Sequence, residues 1–238
     1  MNIETAKAAL GNICRKHKGY EALHKVAIKD GFAYATDGRI AMRVRVQTID
    51  GDCDASHDSV PEDYPIDSLD TYMKNLPSHG WRRIAVDGDN WRRLTTKLEN
   101  TVKRKRNEAE RERHDRYVME RCPCCGEYVY YDKEEERLVE EQDIEEAENI
   151  DWRDVDIPVE VDLGNETVFV NFGFLWEAKQ ILGGIEVCKG GDRMIGIRLG
   201  DGIGVIATLR AEEIDGDGAN GIFCLETEDV ATQEGESS

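Results

Sequence analysis

The stretch that decides the fold is Phe32-Ala33-Tyr34-Ala35-Thr36-Asp37-Gly38-Arg39-Ile40-Ala41. Its Asp37-Gly38 pair is typical of a tight turn between antiparallel strands, because glycine tolerates the left-handed backbone that such turns need. A second pair, Asp30-Gly31, precedes it, and apolar residues alternate with polar or small ones over 40–46. The pattern predicts a meander of three strands, at 23–28, 32–35 and 40–46, whose last strand has one buried face.

The segments on either side of this meander extend the pattern. Apolar residues at helical spacing predict a first helix from Ile3 that ends near Gly19. Residues 48–80 are rich in turn-forming residues and predict a loop with a short helix at 68–75. The later predicted elements are a strand at 83–86, a helix from Asp89, strands at 159–163 and 167–171, a helix ending at Leu182, and strands at 185–188, 194–199, 204–209 and 222–225.

The sequence therefore predicts an α+β protein made of helix-plus-antiparallel-strand units with a charged helical insertion. The helix that begins at Asp89 loses its apolar stripe after Val102 and becomes a mixed-charge run to Arg121, and 132–150 is expected to return as a second helix. We expect residues 1–99 and 156–226 to form one body, 100–155 to form the insertion, and 227–238 to be an acidic tail.

Charge is concentrated rather than uniform. The net charge is −19, and residues 132–156 hold 13 acids against 3 bases, while residues 211–238 hold 9 acids and no base. The rest of the chain is balanced, which favours solvated acidic segments over a polyanion that mimics nucleic acid. The absence of a long apolar run, the non-basic start and the odd number of cysteines predict a cytoplasmic protein without a membrane span, signal peptide or disulfide framework.

Several sequence motifs resemble those of DNA sliding clamps of the bacterial DNA polymerase III beta subunit type. The first is the Ala35-Thr36-Asp37-Gly38 phrase with its flanking strands, and the second is Val168-Phe169-Val170-Asn171 with the helix and strands that follow it. The final strand ends in Ala207-Thr208-Leu209-Arg210, where the clamps usually have Met-Pro-Met-Arg. The charged insertion has no counterpart in the clamps, and the sequence assigns no residues to their partner-binding pocket. The resemblance implies a clamp-like fold and a non-enzymatic protein that binds duplex DNA or the replication machinery.

A clamp-like role requires helices that present Lys and Arg to duplex phosphates, in contacts that are independent of base sequence. The alternative is that these cations are ordinary solvated helix faces. The candidate DNA-binding residues are Lys7, Arg15, Lys16, Lys18, Arg92, Arg93, Lys97 and Lys179.

A cysteine motif, Cys122-Pro123-Cys124-Cys125-Gly126, follows the mixed-charge run. The Cys-x-x-Cys spacing of Cys122 and Cys125 is typical of a knuckle that turns two thiolates toward one zinc ion. At the tip of two charged helices it resembles a zinc hook, in which two chains share one ion, or half of a zinc ribbon. The alternative is a turn with reduced thiols and no metal, and a thiol redox role is less favoured because no thioredoxin-like βαβ pattern surrounds the motif.

The sequence contains no nucleotide-binding, serine-hydrolase or zinc-protease motif, so we expect no enzyme. The favoured interpretation is a homo-oligomeric, clamp-like protein that binds DNA or replication proteins, and a short divergent chain of this kind is compatible with a phage source. The alternative is an acidic interaction protein, or an inhibitor that occupies a basic DNA-binding surface of a host enzyme.

Overall fold

The computed structural model describes residues 1–14, 20–46, 59–122, 124–126, 128–139, 150–210, 214 and 222–230 of the 238-residue chain. Within these ranges the helices are α1 (Ile3–Gly11), α2 (Ile66–Lys74), α3 (Asp89–Arg116) and α4 (Phe172–Leu182). The strands are β1 (Ala27–Lys29), β2 (Phe32–Thr36), β3 (Ile40–Arg45), β4 (Arg82–Ile84), β5 (Tyr117–Arg121), β6 (Tyr128–Asp132), β7 (Arg137–Val139), β8 (Pro158–Asp162), β9 (Thr167–Asn171), β10 (Glu186–Gly191), β11 (Met194–Leu199), β12 (Gly202–Ala207), β13 (Phe223–Leu225) and β14 (Thr227–Asp229). The predicted α+β class is confirmed.

The chain divides into two compact units. The first is drawn from Met1–Leu94 and Ile157–Ser238, and the second from Thr95–Asp156. In the part of the chain that the structure describes, no helix is long and apolar enough to cross a membrane.

The first unit is built on an eight-stranded sheet with the order β1-β2-β3-β12-β11-β10-β4-β14. Strands from the two ends of the chain meet where β3 pairs antiparallel with β12, from Val44 opposite Gly202 to Ile40 opposite Ile206. A separate three-stranded sheet has the order β13-β8-β9, and there β13 and β8 are parallel. The meander of β1, β2 and β3 and the later strands β10, β11 and β12 therefore lie in one sheet, whereas the β8–β9 hairpin lies in the other.

Two similar segments make up most of this sheet. Each consists of a helix followed by three antiparallel strands, α1-β1-β2-β3 and α4-β10-β11-β12, and their third strands pair with each other. Helix α1 contacts both β2 and α4, and α4 also contacts β11. The core under these helices includes the fully buried Leu10, Ile13, Phe172 and Leu175.

Two predicted boundaries in the first segment are wrong. Helix α1 ends at Gly11 rather than near Gly19, because the chain tightens there and the Ile13 N–H donates to the Leu10 carbonyl at 2.9 Å. The strand predicted at 23–28 is a short 3₁₀ helix, Glu21–His24, followed by the three-residue β1. The Leu23 N–H bonds to the Tyr20 carbonyl at 3.0 Å, which is local turn geometry that an apolar run does not reveal.

The second unit combines helix and sheet. The predicted charged helix is observed only to Arg116, because Tyr117–Arg121 is β5 and pairs with β6. The returning helix predicted for 132–150 is wrong over its described part, where Arg137–Val139 is β7 and pairs with β6. The aromatic and β-branched residues of β5 and β6 favour strands, and this preference outweighs the helical trend of the charged run before them.

Candidate functional site

An apolar groove of about 230 Å³ opens beside the β2–β3 turn in the first unit. One wall is α2, and the floor is formed by β3, β11 and β12. Its lining residues are Leu23, Thr36, Gly38, Arg39, Ile40, Ala41, Pro65, Ser68, Leu69, Tyr72, Met194, Val205 and Ala207.

The turn at the end of the groove is held by two side chains of the Thr36-Asp37-Gly38 phrase. The Asp37 carboxylate accepts hydrogen bonds from the N–H groups of Arg39 and Ile40, at 2.8 and 2.9 Å. The Thr36 hydroxyl donates to the Ile40 carbonyl and accepts from the Gly38 N–H. Gly38 has a φ of +88°, which glycine adopts without strain. These contacts explain how the Ala-Thr-Asp-Gly motif stabilises the turn.

Helix α2 is fixed against the sheet by Asp70. The Tyr34 hydroxyl and the Arg43 guanidinium donate to Asp70 Oδ1 at 2.9 and 2.8 Å. Burial raises the pKa of Asp70, but the hydrogen bonds from Tyr34 and Arg43 outweigh it, so the pKa is lowered overall. Burial, reinforced by Asp70, raises the pKa of Tyr34 to about 12. The wall of the groove is therefore held by an ionised carboxylate and a neutral tyrosine.

The floor of the groove belongs to the hydrophobic core, whereas its rim is open to solvent. Ala41 and Val205 on the floor are buried members of one core cluster, which also includes Leu69 of the α2 wall. Tyr72, at the rim, is 45% exposed, and Arg39 is exposed as well. An apolar floor with an aromatic and a cationic group at the rim suits the apolar side chains of a peptide that also carries a carboxylate.

The sequence does not reveal this groove, because residues that are far apart in the sequence line it. Its lining comes from five separate stretches of the chain, and Leu23, Met194 and Val205 look like ordinary core residues in sequence. The one available signal is the Thr36-Asp37-Gly38-Arg39 phrase, which forms the end of the groove.

The predicted DNA-binding residues are spread over three helices. Lys7 lies on α1 and is paired with Glu4 at 3.2 Å, and Lys179 is half-buried on α4, which contacts α1. Arg92, Arg93 and Lys97 are on α3, where Arg92 approaches Asp89 at 3.5 Å. The remaining three, Arg15, Lys16 and Lys18, lie outside the described residues.

The cysteine motif occupies the turn between β5 and β6 in the second unit. The predicted location at the tip of two helices is therefore wrong, since the motif joins two strands. Cys122, Cys124 and Cys125 have sulfur atoms within 4.8 Å of one another, so the three side chains can hold a metal ion. The Cys124 thiol, at 2.7 Å, and the backbone N–H groups of Cys124 and Cys125 lower the pKa of Cys122 to about 7.

This chain matches no protein-family model and no curated protein. Among solved structures, it is similar to the crystal structure of the DNA polymerase III beta subunit from Thermotoga maritima, with a TM-score of 0.36 and 13% sequence identity. The match covers 87% of this chain and 62% of that chain, so this protein spans less than two thirds of the length of that structure. A likeness of this size assigns no function.

Proposed function

We propose that this protein is a sliding-clamp-like factor of DNA replication that works by binding, and that its groove holds a short apolar segment of a replication protein. The observation that carries the proposal is the groove itself. Thr36 and Gly38, from the motif in which the chain resembles the clamps, line one end of it, and it combines an apolar floor with an exposed Tyr72 and Arg39 at the rim.

The chemistry of the groove favours a peptide over a catalytic substrate. Its lining offers mostly apolar surface with one guanidinium, one tyrosine and the Ser68 hydroxyl, while Thr36 and the adjacent Asp37 already make hydrogen bonds to the backbone of the turn. Tyrosine and arginine beside a buried apolar surface are the residue types that dominate peptide and protein interfaces. An acidic residue of the partner would pair with Arg39.

Duplex DNA is the second proposed partner. The cations on α1, α3 and α4 would contact the phosphates of the duplex. Because the net charge of the chain is −19, its total charge does not favour DNA, and binding would depend on the local position of these cations. Such contacts would not select a base sequence.

The groove is tested with a fluorescent peptide that carries two leucines, one phenylalanine and one glutamate. Ser68 is exposed on α2 and lines the groove, so Ser68→Trp should block it and abolish binding. Thr71 is exposed on the same helix but does not line the groove, so Thr71→Trp is the matched control and should bind like the parent protein. Anisotropy titration measures both.

Tyr72→Ala should weaken binding of the same peptide about tenfold or more, as truncating an interface tyrosine commonly does. A control peptide with serine in place of its three apolar residues should not bind. Equal affinity for the Ser68→Trp and Thr71→Trp variants would contradict the groove as the binding site.

DNA binding is tested by the same method with a labelled duplex at several salt concentrations. The affinity should fall steeply with salt, and replacing Arg93 and Lys97 by serine should reduce the slope by about one for each phosphate that is no longer neutralised. Replacing Lys29 and Lys74, which are outside the predicted set, should leave the slope unchanged. A protein that ignores duplex DNA and instead retains a basic protein partner would support the acidic inhibitor.

A further inference from the structure

We propose that Cys122, Cys124 and Cys125 bind one zinc ion per chain, as a three-thiolate site at the turn of the β5–β6 hairpin. This assignment is independent of the groove and of any DNA contact. It also differs from the motif's Cys-x-x-Cys interpretation, which uses Cys122 and Cys125 and draws the remaining ligands from elsewhere.

The distances favour three ligands from one chain. All three sulfur atoms lie within 4.8 Å of one another. Zinc–sulfur bonds of about 2.3 Å in tetrahedral geometry place sulfur atoms about 3.8 Å apart, so small side-chain rotations bring the three thiolates onto one ion. The Cys122 and Cys124 sulfurs, which are 2.7 Å apart, would separate by about 1 Å on binding.

The hairpin preorganises the turn. The strand pairing ends at Arg121 opposite Tyr128, and the Gly126 N–H donates to the Cys122 carbonyl at 2.9 Å. The Arg121 guanidinium donates to the Gly126 carbonyl at 2.9 Å, and Gly126 has a φ of +79°. These two hydrogen bonds hold Gly126 against Cys122 and Arg121 without a metal ion.

Charge and access also suit zinc. Three thiolates on Zn²⁺ leave one net negative charge, and Arg121, which precedes Cys122 in the sequence, carries a charge of opposite sign. Cys124 and Cys125 are exposed, so an ion can reach the site from solvent. Three protein ligands leave one tetrahedral position for a water molecule or another donor.

The test measures zinc per chain by elemental analysis, after purification without chelator and removal of unbound metal. We expect one equivalent in the parent protein. Cobalt substitution should give the visible bands of a tetrahedral site together with a thiolate-to-cobalt charge-transfer band that weakens when one thiol is removed.

The decisive variant is Cys124→Ser, which leaves both ligands of the two-cysteine interpretation in place. We expect it and Cys125→Ser to lower zinc affinity at least tenfold, while Cys224→Ser, at an exposed cysteine outside the cluster, leaves it unchanged. Circular dichroism checks folding, and because Cys124 and Cys125 are exposed, these two variants suffice if the buried Cys122→Ser fails to fold.

Four results would overturn the site. They are no bound zinc, half an equivalent per chain with a chelator-sensitive dimer, parent-like affinity in Cys124→Ser, and a thiol count that reveals a disulfide within the cluster. The second result would restore the shared hook, and the fourth would indicate redox chemistry.

Discussion

At the scale of single residues, the turn at the end of the groove depends on one carboxylate. Asp37 is buried and accepts hydrogen bonds from two backbone N–H groups of the turn. The sequence predicts this turn from Asp37-Gly38 alone, because turn chemistry is local and depends on few residues. It does not predict that the turn ends a groove, since that requires α2 and β12 to lie beside it.

We expect Asp37→Ala to destabilise the protein by about 1–3 kcal/mol, because two backbone N–H groups lose their acceptor. Urea unfolding followed by circular dichroism measures the change. Asp37→Asn keeps a side-chain oxygen and is the matched control, with a smaller loss. If the two variants are equally stable, the carboxylate does not hold the turn through these hydrogen bonds.

A second residue-scale prediction concerns acid stability in the second unit. Arg116 donates to Asp132 at 2.9 and 2.6 Å and holds the pKa of Asp132 at about 2, below its ordinary value of 3.8. Because the folded value is the lower one, the ionised carboxylate stabilises the fold above about pH 4, and this contribution is lost as the pH falls toward about 2. Asp132→Asn should therefore lower stability at neutral pH and flatten the acid part of the stability curve.

Chemical unfolding at several pH values checks this expectation. Glu134 also pairs with Arg116, at 3.3 Å, but its side chain is 70% exposed. Glu134→Gln is therefore the matched control and should change little, as is usual for exposed ion pairs. Parallel pH curves for the parent protein and Asp132→Asn would contradict a role for the pair.

At the scale of elements, the sequence predicts structure where local turn and cap signals are present. The Gly164-Asn165 hairpin and the helix from Phe172 to the left-handed Gly183 cap follow local signals that the structure bears out. The change from helix to strand at Tyr117 follows no local signal. The charged residues before Tyr117 suit a solvated helix and give no stop signal. The groove and the three-sulfur cluster required distances that sequence spacing does not supply.

The β3–β12 junction gives the element-scale prediction. A Cβ at Gly204 would stand 2.3 Å from the Ala41 carbonyl oxygen, in the strand paired with it. Gly204→Ala should therefore force the two halves of the sheet apart and destabilise the protein by several kcal/mol, as overpacking against a backbone atom does. Thermal unfolding with hydrogen exchange of the β3 and β12 amides measures the effect.

Gly11→Ala is the matched control for this substitution. Nothing lies within 4 Å of a Cβ at Gly11, which is the last residue of α1. The change should stabilise the protein by about 0.4–1 kcal/mol, because alanine restricts the unfolded chain. A Gly204→Ala variant as stable as the parent protein would mean that the junction tolerates separation.

At the scale of the whole molecule, the net charge opposes the proposed assembly of several copies. The chain carries a net charge of −19, so copies of it repel at low salt, whereas contacts between cations and DNA phosphates are strongest there. Sequence composition predicts these two opposing electrostatic effects. It does not predict which one dominates, since that depends on which surfaces of the protein come into contact.

We predict that the protein forms a homo-oligomer whose association strengthens with added salt while its DNA affinity weakens. The described residues of one chain form one pair of helix-and-three-strand segments, and closed symmetry would repeat their cationic positions around one axis. Light scattering after size exclusion should give a whole-number multiple of 26.9 kDa that is greater than one. Chelator should not change that mass, because the proposed zinc site lies within one chain. A mass of 26.9 kDa at every concentration and salt would remove the oligomeric clamp and leave a monomeric adaptor that binds through its groove.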